Sequence, residues 1–77
     1  MELCMPKFEE TSDSAVVVVW HKQPGDSVAR GEAIAEVETE KFSHPVEAPC
    51  DAVLREIRAA AGESVEVGAV LAILEPT

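Results

Sequence analysis

The chain has 77 residues and carries six lysines and arginines against fifteen aspartates and glutamates, a formal net charge of −9. A surface with this much negative charge repels nucleic-acid phosphates and anionic membranes, and we expect neither as a partner. The same charge suits docking onto basic protein surfaces. A chain this short forms one small domain without room for a typical catalytic cleft. We therefore expect a module on which enzymes act, with no catalytic activity of its own.

The predicted elements form two copies of one unit, offset by 37 residues. In the first copy, a β-branched run at residues 15–20 leads to a turn at Gly25, a short strand around Val28, a second turn at Gly31 and another apolar run. The second copy repeats this order at residues 52–57, Gly62, Val65, Gly68 and residues 70–74. Glycine fits such turns because it alone adopts a positive φ at little cost. Short, regularly spaced strands and turns predict an all-β sandwich or barrel.

One stretch of the second copy favours a different element. Residues 54–61 read Leu-Arg-Glu-Ile-Arg-Ala-Ala-Ala, which has good helix propensity. The equivalent stretch of the first copy, residues 17–24, contains valines, a tryptophan and a proline. Because one fold has to satisfy both copies, we predict strands in both.

Residues 36–49 lie between the apolar runs of the two copies and are strand-like on both sides of a polar centre. A symmetric turn at Glu40-Lys41 would pair Thr39 with Phe42 and Val37 with His44. This arrangement predicts a protruding hairpin whose tip carries a single lysine, Lys41, flanked by Glu40 and Phe42.

Several motifs occur together with this hairpin. They are Met5-Pro6-Lys7-Phe8, Pro24-Gly25-Asp26-Ser27-Val28, Gly31-Glu32 and the run Glu36-Val37-Glu38-Thr39-Glu40-Lys41. As a set they resemble the biotinyl/lipoyl-attachment family, and within it the lipoyl domain of dihydrolipoamide acyltransferases from 2-oxo acid dehydrogenase complexes. The resemblance extends from about Met5 to Glu75. It departs from the family at Ala15 and Ala52, where glycine is frequent, and at Glu40, where aspartate is commoner.

The resemblance implies a flattened barrel or sandwich of two four-stranded antiparallel sheets with pseudo-two-fold symmetry. It implies one carrier domain over residues 1–77, with a core from about 5 to 75, and chain termini near the end opposite the hairpin tip. Lys41 would hold lipoic acid covalently, flanked by Glu40 and Phe42, and no residue would be catalytic or bind a metal. The repeat with its offset of 37 residues is what such a symmetry requires of the sequence.

The same resemblance implies a swinging-arm carrier of acyl groups and reducing equivalents in a 2-oxo acid or acetoin dehydrogenase complex. Its partners would be the 2-oxo acid decarboxylase, the acyltransferase core, dihydrolipoamide dehydrogenase and lipoate ligase, and the isolated domain would be monomeric. Glu75-Pro76-Thr77 suits the end of a barrel and the start of a linker, which is consistent with a piece of an acyltransferase or with a stand-alone carrier.

Three other functions remain alternatives. A biotin carboxyl carrier domain shares the fold, but its signature places methionine on both sides of the lysine, where this chain has Glu40 and Phe42. A glycine-cleavage carrier is also lipoylated and is usually longer. The third alternative is an unmodified interaction module of the same fold.

The remaining candidate residues receive structural interpretations. We expect His44 to be an exposed hairpin residue and Trp20 to pack against the core, and the sequence offers no acid or nucleophile at a suggestive spacing from His21. Cys4 and Cys50 are expected to be reduced and partly buried. The first ten residues contain three glutamates and no apolar stretch that resembles a signal sequence, so we expect a bacterial cytoplasmic protein, with the mitochondrial matrix as the alternative.

Overall fold

The computed structural model describes residues 1–8 and 13–77, and the elements in these residues are eight β-strands. The strands are β1 (Glu2–Cys4), β2 (Ser14–Trp20), β3 (Ser27–Val28), β4 (Ala33–Glu38), β5 (Ser43–Glu47), β6 (Ala52–Ile57), β7 (Ser64–Glu66) and β8 (Val70–Pro76). In the helix-prone stretch at 54–61, residues 54–57 belong to strand β6 and residues 58–61 are neither strand nor helix, so the predicted strand is confirmed for the first half and the helix favoured by propensity does not form. No helix capable of crossing a membrane occurs in the described part of the chain.

The strands form two four-stranded antiparallel sheets. The terminal sheet has the order β1-β8-β6-β3 and the hairpin sheet has the order β5-β4-β2-β7. In the hairpin sheet, β2 and β4 pair Val16 with Glu38 and Trp20 with Ala35, while β4 and β5 pair Val37 with His44. The predicted hairpin register is therefore confirmed, as is the predicted all-β class with two four-stranded sheets.

A pseudo-two-fold relation exchanges the two sheets, and backbone hydrogen bonds repeat at the predicted offset of 37 residues. Gly25 donates to the Leu54 carbonyl at 2.7 Å, and Gly62 donates to the Val17 carbonyl at 2.6 Å. The edge strands obey the same symmetry with a different offset. Leu3 pairs with Ala72 as Val46 pairs with Ala35, so these edges lie 43 positions apart. Counted between equivalent positions, the chain from Leu3 to Ala15 is thus six residues longer than the chain from Val46 to Ala52.

The glycine turns have the backbone conformation that the repeat predicts. Gly25, Gly31, Gly62 and Gly68 have φ values of +99°, +83°, +94° and +90°. No other described residue has a positive φ, which includes Ala15 and Ala52 in their strands. Alanine is therefore compatible with the backbone at the two positions where the family frequently has glycine.

The core lies between the sheets, because alternate strand residues point inward. In β2, Ala15 and Val17 are buried while Val16 and Val18 are exposed. The largest fully buried side chains come from both copies: Ile34, Leu54, Leu71, Leu74, Val17, Val37 and Val46. Trp20 packs against this core and its Nε1 donates a hydrogen bond to the Ala59 carbonyl at 2.8 Å, so its predicted packing role is confirmed.

The two-fold relation also assigns a counterpart to the hairpin tip. The tip joins β4 to β5, and the equivalent strands in the terminal sheet are β8 and β1. Met1 and Leu74 exchange backbone hydrogen bonds of 2.8 Å there. The symmetry therefore places the lysine turn of the hairpin sheet and the Met1–Leu74 pairing of the terminal sheet in equivalent regions of the fold.

Candidate functional site

The hairpin tip is a two-residue turn, Glu40-Lys41, closed by Thr39 and Phe42. Thr39 N–H donates to the Phe42 carbonyl at 2.8 Å. The Thr39 hydroxyl donates to the same carbonyl and accepts from Phe42 N–H, both at 3.2 Å. Neither turn residue has a positive φ, so the turn is not one of the mirror-image types common in two-residue hairpins. The buried Thr39 side chain instead supplies extra hydrogen bonds that hold the turn.

Lys41 is exposed at this tip, and no ion pair joins its amine to any residue of 1–8 or 13–77. Lys22 differs because its Nζ lies 3.0 Å from Glu32 Oε2 and its side chain is half-buried. Lys7 is exposed but lies after β1, outside any hairpin tip. Lys41 is therefore the lysine that combines an accessible amine with a turn fixed by hydrogen bonds.

An aromatic cluster lies on one side of the tip. Phe42 is 58% exposed, and its ring centroid lies 6.2 Å from that of His44. His44 stacks on Phe8 with a centroid separation of 4.5 Å and an interplanar angle of 2°. His44 is half-buried by these contacts, so the prediction of an exposed histidine was wrong. The stack was not visible in the sequence because it joins residues that are distant in the chain.

A shallow groove of about 360 Å³ lies on the other side, on the outer face of the hairpin sheet. It is lined by Val16, Val18, Glu38, Thr39 and Glu40. The two valines are 42% and 47% exposed. They belong to β2, which lies between β4 and β7 in the sheet, and Val18 is at the register shift of the β2–β4 pairing. The sequence predicted a strand for the valine run, and the structure places Val16 and Val18 of that strand on its outer face.

The pairing of β2 with β4 brings an acidic side chain within hydrogen-bond distance of His21. His21 follows β2, and its Nε2 lies 2.8 Å from Glu36 Oε2 of the neighbouring strand β4, a contact that the spacing of the two residues in the sequence did not indicate. Cys50 is half-buried as expected, whereas Cys4 is exposed, and both thiols are free. In the part of the chain that the structure describes, no group of three or more metal-binding side chains is close enough to hold a metal ion.

One carboxyl group outside the tip has a shifted pKa. The Glu32 carboxylate accepts a 2.9 Å hydrogen bond from the Ala29 N–H and lies 3.0 Å from the Lys22 ammonium. These contacts, the backbone hydrogen bond first, hold the pKa of Glu32 below its usual range. They brace the turn at Gly31, which precedes the strand leading to the hairpin.

Comparison with known proteins shows the family. The model of the biotin/lipoyl family, described as "Biotin-requiring enzyme", matches residues 1–74. The chain is 42% identical over 72 residues to the dihydrolipoyllysine-residue acetyltransferase component of the acetoin cleaving system of Pseudomonas putida, covering 94% of this chain and 20% of that protein. It is 40% identical over 73 residues to the succinyltransferase component of the 2-oxoglutarate dehydrogenase complex of Staphylococcus saprophyticus, covering 95% and 17%.

The solved structures agree with this result. The solution structure of the lipoyl domain of the 2-oxoglutarate dehydrogenase complex from Azotobacter vinelandii matches with a TM-score of 0.79 and 36% identity, over 100% of this chain and 99% of that one. This chain spans about a fifth of the length of the curated relatives above and nearly all of the solved lipoyl domain. These relatives favour a lipoyl over a biotin carrier, so the chain belongs to the biotin/lipoyl family and, within it, to the lipoyl domains.

Proposed function

We propose that Lys41 carries lipoic acid in amide linkage and that the chain is a swinging-arm carrier in a 2-oxo acid or acetoin dehydrogenase complex. The observation that carries the proposal is the exposed Lys41 amine on a hydrogen-bonded two-residue turn, in a chain of the lipoyl family. An amine without an ion-pair partner is available to a ligase, and a fixed turn gives the tether a defined origin. The residues present therefore fit the group.

The chain's own contribution is placement. When bound, the lipoyl group would supply a dithiolane that accepts acyl groups and electrons, and that chemistry belongs to the cofactor. The Thr39–Phe42 hydrogen bonds fix the direction in which Lys41 extends. The strands β4 and β5 hold the turn at the end of the hairpin, where Lys41 is exposed. Tethering raises the effective concentration of the arm at each partner active site, so transfer becomes nearly intramolecular. On this account no side chain of the domain is a catalyst.

The partners follow from the relatives, which are acyltransferase components of such complexes. We propose that the domain meets a 2-oxo acid decarboxylase, an acyltransferase core and dihydrolipoamide dehydrogenase in turn, after lipoate ligase has modified it. The isolated domain is proposed to be a monomer. A bacterial cytoplasm is the proposed location, since the relatives named above are bacterial, and a mitochondrial matrix is the alternative.

The test of this function compares two modifying enzymes in separate incubations. The purified chain is incubated separately with lipoate ligase and lipoate, and with biotin ligase and biotin, and the intact mass is measured. We expect one lipoyl adduct and no biotin adduct, followed by acyl transfer to the adduct when a decarboxylase and its 2-oxo acid are added. A biotin adduct without a lipoyl adduct would reassign the domain to biotin carriers, and no adduct from either would remove the carrier role.

A further inference from the structure

The two-fold relation allows the outer faces of the two sheets to be compared position by position. On the terminal sheet, Arg55 forms an ion pair with Glu75. The equivalent positions on the hairpin sheet, 37 residues earlier, are Val18 and Glu38. The same place in the fold therefore holds an ion pair on one sheet and an apolar residue beside a carboxylate on the other.

Among the described residues, two carboxylates close to Lys41 in the chain therefore have no cationic side chain paired with them. Glu38 and Glu40 form no ion pair with any residue of 1–8 or 13–77. Together with Val16 and Val18 they line the groove described above. We call these four residues the valine groove. Two solvated valines between unpaired carboxylates are complementary to an apolar side chain flanked by lysine or arginine.

We propose that the valine groove is the docking surface for the 2-oxo acid decarboxylase, which contributes an apolar side chain flanked by basic groups. The inference rests on the proposed function. The apolar side chain covers Val16 and Val18, and the basic groups pair with Glu38 and Glu40. The net charge of −9 steers such a partner towards the domain, and the groove selects the face on which it docks.

The groove lies beside the turn, so the decarboxylase and the ligase would use different surfaces of the hairpin. A ligase has to bring its activated carboxyl group to Lys41 Nζ and must enclose the turn itself. A decarboxylase meets only the far end of the arm, so it can dock on the flank of the hairpin while the arm enters its active site. β2 lies between β4 and β7 in the sheet order, so the groove is on a sheet face and not at a sheet edge, and docking there uses side chains.

The test substitutions exchange residues between positions that the two-fold relation makes equivalent. Val18→Arg copies Arg55 and places a guanidinium beside Glu38, as Arg55 lies beside Glu75, so the fold already contains this arrangement. Val18→Thr keeps the shape and the β-branching while removing apolar surface. The matched controls lie on the terminal sheet: Val53→Thr, at the position equivalent to Val16, and Arg55→Val.

The experiment lipoylates each variant with lipoate ligase, verifies the adduct by intact mass and the fold by thermal unfolding, and then measures kcat/KM for reductive acylation. The probes are purified decarboxylases for pyruvate and for 2-oxoglutarate and the acetoin-cleaving dehydrogenase, and the one that acylates the wild type is used throughout. We expect Val18→Arg to lower kcat/KM at least about tenfold and Val18→Thr about threefold, with lipoylation unchanged. Both controls should stay within about twofold of wild type.

Three results would overturn the proposal. Wild-type kcat/KM in both Val18 variants would show that the groove is not used. Equal losses in the terminal-sheet controls would show a general surface effect. A parallel loss of lipoylation would assign the groove to the ligase. A lipoylated wild type that none of the probes acylates would instead contradict the proposed function itself, so the two failures are distinguishable.

Discussion

Alanine substitution at the glycines of the second turn should be equally costly in both copies of the repeat. Gly31 and Gly68 have φ values of +83° and +90°, and a Cβ built on either would have no atom within 4 Å. The cost is therefore one of backbone conformation and contains no steric clash. An L-residue in the left-handed region costs about 1–2 kcal/mol, which for a domain of this size lowers Tm by about 4–8 °C for each kcal/mol.

The assay is urea and thermal unfolding of Gly31→Ala and Gly68→Ala beside the equivalent exposed pair Ser27→Ala and Ser64→Ala. The serine variants should lie within about 0.5 kcal/mol of wild type, because they change only exposed side chains. Glycine variants as stable as wild type, or two glycine variants that differ by more than about 1 kcal/mol, would refute the reasoning, since the same φ and the same open space predict the same cost.

Three further predictions concern stability. Leu54→Ala should lower the free energy of unfolding by about 2–5 kcal/mol in urea titrations, because Leu54 is fully buried, and a loss below about 1 kcal/mol would contradict the packing. Trp20→Phe should cost about 1–3 kcal/mol, since it leaves the buried Ala59 carbonyl without its donor, and an unchanged midpoint would show that water replaces the bond. Glu32→Gln should destabilise the domain at pH 7, and its difference from wild type should shrink as the pH is lowered. The pKa of Glu32 is lowered in the folded state, so its contribution is present above the pKa of the unfolded chain and is lost as pH falls through the lower folded value. An effect that does not shrink in acid would contradict the ionic cause.

The repeat predicted most of the fold because each copy contains the glycines that mark its own turns. Gly25 and Gly62 mark the same turn, and the strands that flank them follow from β-branched residues. The edge strands β1 and β5 were less accessible to this reasoning, since they are related by a different offset. The extra residues after β1 obscure a relation that becomes clear only when Leu3 and Val46 are seen in equivalent registers.

The turn at Lys41 could be predicted because it depends on residues next to each other in the chain. Its surroundings could not, because they depend on contacts between distant strands. The Phe8–His44 stack and the His21–Glu36 pair each require a pairing register or a loop position that no local pattern gives. The sequence likewise predicted a strand at Val18, but which strand residues face solvent becomes known only when the strand has been assigned to a sheet.

The central claim, that Lys41 is the attachment site, is tested most directly by intact mass spectrometry and peptide mapping after incubation with lipoate ligase. The variant Lys41→Arg should fold normally and accept no lipoyl group, because a guanidinium stays protonated and does not form the amide. Lys22→Arg and Lys7→Arg serve as controls and should each gain one lipoyl group. Lipoylation of Lys41→Arg, or an adduct that maps to Lys7 or Lys22 in the wild type, would contradict the claim.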